Sequence, residues 1–125
     1  MPSSLQKLVG FQILSLDEES IVVVKNNKVF VIGIENDEGD CCGYNEIVTN
    51  LNYGIGSKHN PIITKVTIEN EEIDEGQYCS VCFFGGSKLI GNIDTYSSSG
   101  SGWGYGATVT IRCKRLDIND ILSSW

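Results

Sequence analysis

The chain has 125 residues, of which 41% are apolar and 20% charged, with a net charge of −7. That length suits one domain (1–125) with a single core and no need for stapling by disulfides or metals. No apolar run approaches the roughly 18 residues of a membrane-spanning helix, and the acidic balance argues against a nucleic-acid polymer, which is bound through clustered Lys and Arg.

In chain order, Ser3 or Ser4 caps a short helical turn through Leu8, and Phe11 to Leu16 reads as a first strand. Ile21 to Val24 and Val29 to Ile34 are β-branched and aromatic runs around Asn26-Asn27, a pair that tolerates the positive φ of a tight hairpin turn. Glu35 to Gly43 is an acidic loop. Tyr44, Ile47, Val48 and Leu51 recur at i, i+3, i+4 and i+7, which predicts a short amphipathic helix over 44–51.

After a loop over 52–60, Pro61 opens a strand through Ile68, followed by an acidic turn from Glu69 to Gly76. Tyr78 to Phe84 and Leu89 to Thr95 form the next two strands, joined through Gly85 to Lys88. In the second of these, Asn92, Asp94 and Tyr96 share one face, opposite Leu89, Gly91 and Ile93. The last expected strand, Ala107 to Lys114, alternates: Ala107, Val109, Ile111 and Cys113 face the core, while Thr108, Thr110, Arg112 and Lys114 face away. Asp117 then caps a terminal helix bearing Ile118, Ile121, Leu122 and Trp125. The expected fold is mainly β (α+β): a single antiparallel sheet or partly open barrel of about six to seven strands with one or two short helices.

The stretch 97–106 stands out. Seven of the fourteen glycines lie between Gly85 and Gly106, and Trp103 and Tyr105 sit where a plain connection needs only small residues. One reading is a connection whose aromatics fold back on the sheet. The other is a binding loop, in which glycine admits close backbone approach and an aromatic stacks on a planar ring. Charge favours an anion here: acidic residues outnumber basic ones thirteen to four from Leu16 to Glu75, whereas from Gly76 to Arg115 only Asp94 opposes Lys88, Arg112, Lys114 and Arg115. If the flanking strands pair across the loop, Asn92, Asp94, Tyr96, Thr110 and Arg112 form one polar face. Arg112 would then grip a phosphate, with Phe83 or Phe84 as a further stacking surface.

Other motifs carry less. Cys79-x-x-Cys82 with Cys41-Cys42 supplies four thiols, but residues three apart in a strand point to opposite faces, so buried thiols are expected rather than a zinc site. His59 reads as an exposed loop residue. Asp37-Glu38-Gly39-Asp40 lacks the spacing of an EF-hand calcium loop, and no phosphate-binding P-loop motif occurs. No metal or cofactor is therefore expected, and no set of acid, base and nucleophile suggests an enzyme, although a metal-dependent enzyme using Asp40, Cys41 and His59 stays open as a third option. The N-terminal residues lack the pattern of an export signal, so cytoplasmic placement with reduced cysteines is expected.

Asp40-Cys41-Cys42-Gly43 after an early hairpin, with the Ser/Gly/aromatic loop from Ser97 to Gly106 before a late strand, resembles small proteins, many phage-encoded, that share an Asp-Cys-Cys motif. The similarity runs over roughly 5–114. In function class the chain is also similar to phage anti-defence sponges, including the Thoeris anti-defence proteins. That resemblance implies sequestration of a cyclic nucleotide signal without cleavage, often by a homo-oligomer, with Phe83 or Phe84, Asn92 and Arg112 in binding roles. The combined expectation is a non-catalytic protein binding a small anionic, nucleotide-like ligand through Phe83, Phe84, Asn92, Asp94, Trp103, Tyr105 and Arg112. The alternative is an acidic protein-interaction module, such as a phage inhibitor of a host protein, acting through Asp37, Glu38, Asp40 and the acidic residues of 69–75.

Overall fold

In the computed structural model, which describes residues 3–38, 43–52, 61–73, 75–98 and 106–125, Asn26 and Asn27 adopt φ of 53° and 63°. This left-handed pair matches the twist of the strands it joins, and Lys25 faces Lys28 across the hairpin. The strands are β2 (Ser20–Lys25) and β3 (Lys28–Asp37), preceded by β1 (Gln12–Leu16). A one-turn 3-10 helix, Ser4–Leu8, lies before β1, its first turn capped by the Ser3 hydroxyl, which accepts from the Leu5 amide.

The remaining strands are β4 (Tyr44–Leu51), β5 (Lys65–Ile73), β6 (Gly76–Gly85), β7 (Lys88–Ser98), β8 (Thr108–Cys113) and β9 (Ile118–Ser124). All pair antiparallel, in two sheets: five strands in the order β1-β2-β3-β8-β9 and four in the order β4-β7-β6-β5. The mainly-β expectation is met. The described strands form two layers rather than a closed barrel, and the described helical pieces are 3-10 turns.

The inward faces of both sheets share one core. Ile21, Val23, Ile32, Val109 and Ile111 of one sheet meet Val81, Phe83, Ile90 and Ile93 of the other, and Leu5, Leu8 and Ile63 belong to the same cluster. Each such side chain contributes about 1.5–3 kcal/mol by leaving water. The alternation expected for Ala107, Val109, Ile111 and Cys113 is present, with Arg112 and Lys114 exposed, although Thr110 is buried as well.

Both expected amphipathic helices are strands. In β4 the inward residues are Asn45, Ile47, Thr49 and Leu51, facing Ser97, Thr95, Ile93 and Gly91 of β7. The helical reading failed because Asn45 is a buried polar residue: its amide donates to Asn36 Oδ1 at 2.8 Å, the Asp37 carbonyl at 3.0 Å and the Thr108 carbonyl at 3.1 Å. An inward asparagine breaks the apolar alternation, so only the accidental helical stripe was visible. In β9 a register shift opposite Val109 and Thr110 lets Leu122 and Ser123 both turn inward, while Ile121 is left 64% exposed. Asp117, expected as a helix cap, instead takes φ 55° between the 3-10 turn Lys114–Leu116 and β9.

β5 continues through most of the segment expected as an acidic turn, with Glu69, Glu71 and Glu72 opposite Ser80, Tyr78 and Gln77. Phe83 faces Gly91 but Phe84 faces Leu89. Ile90 is thus the extra residue of a bulge and enters the core, whereas Leu89, expected on the same face as Ile93, is exposed.

Candidate functional site

The polar face expected beneath the 97–106 loop is not formed, because the strands flanking that stretch do not pair. β7 lies between β4 and β6, and β8 lies between β3 and β9, in the other sheet. Asn92 and Asp94 therefore point outward from the four-stranded sheet, and Arg112 outward from the five-stranded one. There Arg112 meets Glu35 at 3.5 Å, and its Nε donates to Asn119 Oδ1 at 3.2 Å. The cavity beside it is also lined by Glu35, Asp37 and Asp120, a poor setting for a second negative charge. Phe83 is fully buried and offers no stacking surface. Phe84 is half-buried at the Lys65–Leu89 end of the four-stranded sheet. Trp103, Tyr105, Cys41, Cys42 and His59 lie outside the described residues, as does Asp40.

What the structure assembles instead is a cavity of about 370 Å³ on the outer face of the four-stranded sheet, lined by Glu46, Val48, Ile73, Tyr78, Asp94, Thr95 and Tyr96. The register explains the grouping. Val48, Asp94, Ser80 and Glu69 form one row across β4, β7, β6 and β5, and Glu46, Tyr96, Tyr78 and Glu71 form the next. Because side chains in a strand alternate, both rows face solvent together.

Asp94 is the floor. Ser80 Oγ donates to its Oδ1 at 2.7 Å and Asn92 Nδ2 to its Oδ2 at 3.1 Å. Both donors are neutral, and among the described residues no Lys or Arg forms an ion pair with it. Glu46, on the rim, accepts a long hydrogen bond from Tyr44 at 3.4 Å. Burial first, and the Asp94 carboxylate second, raise the Tyr78 phenol above its ordinary value near 10, so it stays protonated at neutral pH. Glu46 similarly raises the exposed Tyr44 phenol.

Tyr96 is a preset wall. Its ring crosses Gly76 of β6, where a Cβ would collide with the ring tip, and its hydroxyl donates to the Ile73 carbonyl at 3.1 Å. The absent side chain at position 76 is thus what lets the ring tip reach over the neighbouring strand. Among the described residues of this sheet, the lysines Lys65 and Lys88 lie at its far end, opposite Phe84 and Gly85.

Among the described cysteines, Cys79 and Cys113 are core thiols. Cys79 is buried, and desolvation raises its thiol pKa to about 11. Cys82 points to the opposite face and lies 3.7 Å from Ser80 Oγ. Among the described residues no group of three potential metal ligands forms, and no helix is long and apolar enough to cross a membrane.

Comparison with protein-family models, curated proteins and solved structures gives no match. The chemistry of this face therefore has to carry the functional reading alone. Of the site residues expected from sequence, Asp94 lines the cavity, Asn92 donates to Asp94 on the same face, and Phe84 lies at the far end of that face. Tyr78, Tyr96, Glu46, Val48 and Ile73 were missed as site residues. The shared parity of Asn92, Asp94 and Tyr96 was a usable signal; Glu46 and Val48 were hidden by the helical reading of β4.

Proposed function

We propose that the chain is a non-catalytic binding module that engages a basic protein segment through the outer face of its four-stranded sheet. The observation that carries this is the make-up of the cavity: two tyrosines and two carboxylates, Asp94 and Glu46, with no cationic side chain in its lining. Glu69 and Glu71 extend the same face toward the β5 edge. Aromatic surface with unpaired negative charge suits a cationic partner, through area burial, cation–π contact and long-range steering. The acidic-interaction alternative read from the sequence is thereby favoured over nucleotide sequestration, which relied on Arg112 standing beside Asn92.

Isothermal titration with an oligolysine peptide, run in parallel with cyclic dinucleotides and ADP-ribose, tests the choice. The peptide is expected to bind with an affinity that falls as salt rises, and a Glu69→Gln/Glu71→Gln/Asp94→Asn variant is expected to lose most of it. Binding of a nucleotide, lost on Arg112→Ala, together with no peptide binding, would overturn the proposal and restore the anionic-ligand reading.

A further inference from the structure

We infer that the tyrosine-walled cavity seats one alkylammonium group, the side chain of a partner lysine, in preference to a guanidinium. This deepens the acidic-face reading above and rests on it. The cavity has three properties that an ammonium requires. Its floor is a half-buried carboxylate fixed by neutral donors, with no counter-ion among the described residues. Its walls are the rings of Tyr78 and Tyr96, neighbours across β6 and β7, whose faces attract a cation within about 6 Å of the ring centre. Its rim is Val48 and Ile73, 45% and 39% exposed, which cover the methylene stem of a long side chain.

Discrimination against arginine follows from Asp94. A guanidinium gains most from a free carboxylate edge that takes its two parallel donors. Asp94 already holds a neutral donor on each oxygen, Ser80 on one and Asn92 on the other. An ammonium needs only a remaining lone pair from Asp94 and one from Glu46, and it directs its three donors to separate acceptors. Neither tyrosine supplies a competing charge: the Tyr96 hydroxyl donates to the Ile73 carbonyl, and Tyr78 stays a neutral phenol whose hydroxyl is also hydrogen-bonded to Asp94.

Peptides of equal length, oligolysine and oligoarginine, are titrated into the full chain while the tyrosine ring resonances are followed by NMR. The expected result is tighter binding of oligolysine by about fivefold or more, with the Tyr78 and Tyr96 rings shifting first. Asp94→Asn and Tyr96→Ala are expected to abolish the preference, whereas Tyr96→Phe, which keeps the ring, retains it. Equal affinity for the two peptides, or a lysine preference that survives Asp94→Asn, overturns the inference while leaving the acidic face as a binding surface. Failure of both peptides to bind at any salt concentration removes the face itself.

Discussion

The hydroxyls of Ser97 and Ser123, from opposite sheets, meet in the interior at 2.7 Å. Thr95 donates to the same Ser123 oxygen at 2.9 Å, and Ser97 also contacts Asn45 Oδ1 at 2.6 Å. The two layers are thus joined by a buried polar chain as well as by apolar packing. Removing one member leaves buried partners unsatisfied, at about 1–3 kcal/mol. Ser97→Ala and Ser123→Ala are each expected to lower unfolding free energy by that amount in urea titrations, and the double variant by less than the sum, because the second change removes a partner already lost.

Asp120 holds the N-terminal turn. Its Oδ2 accepts from the Ser3 hydroxyl and from the Leu5 amide, and the turn buries Leu5 and Leu8 completely. Asp120→Ala is expected to cost about 1–2 kcal/mol and to speed amide exchange at residues 5–9 more than in the sheets. Uniform acceleration across both sheets would contradict a local anchoring role.

Gly76 sets the position of Tyr96. Gly76→Ala is expected to push the ring off β6, break its bond to the Ile73 carbonyl and weaken oligolysine binding about as much as Tyr96→Ala does. Tyr96→Phe separates the two effects, since it loses only the hydroxyl bond, worth about 1 kcal/mol of stability. Calorimetry for stability and titration for binding check both variants.

Burial of Cys79 makes stability depend on alkaline pH. Its folded value of about 11 stands above the ordinary thiol value of 9.0, so the unfolded chain gives up its proton first. Stability conferred by the neutral thiol is complete below pH 9 and is lost as pH rises toward about 11. Tyr78, also raised, adds to the decline above pH 10. Cys79→Ala is expected to flatten the profile between pH 9 and 11 in denaturant titrations, and the native thiol to resist modification at pH 8.

Where local chemistry decides conformation, the sequence was readable. Asn26-Asn27 announced a hairpin, and the alternation of residues 107–113 announced a strand with Arg112 outward. Burial of polar groups is not readable in the same way. Asn45, Thr95, Ser97 and Ser123 are interior residues whose partners come from distant parts of the chain, so the local pattern of β4 reads as a helix. The site was half legible. The parity that joins Asn92, Asp94 and Tyr96 is local, but which strand lies beside them is a matter of topology, and the assumption that sequential strands pair placed Arg112 in the wrong layer.

β3 lies between β2 and β8, so a growing chain completes its two layers in a fixed order. The strands of the four-stranded sheet are consecutive, β4 to β7, so every partner in that layer has been made by residue 98. The other layer is split between the two ends of the chain. One side of β3 lacks its partner until the final hairpin, Thr108 to Ser124, is available, so a chain stopped short of it would expose that edge to any strand nearby. Supplied separately, the same hairpin is expected to complement residues 1–98.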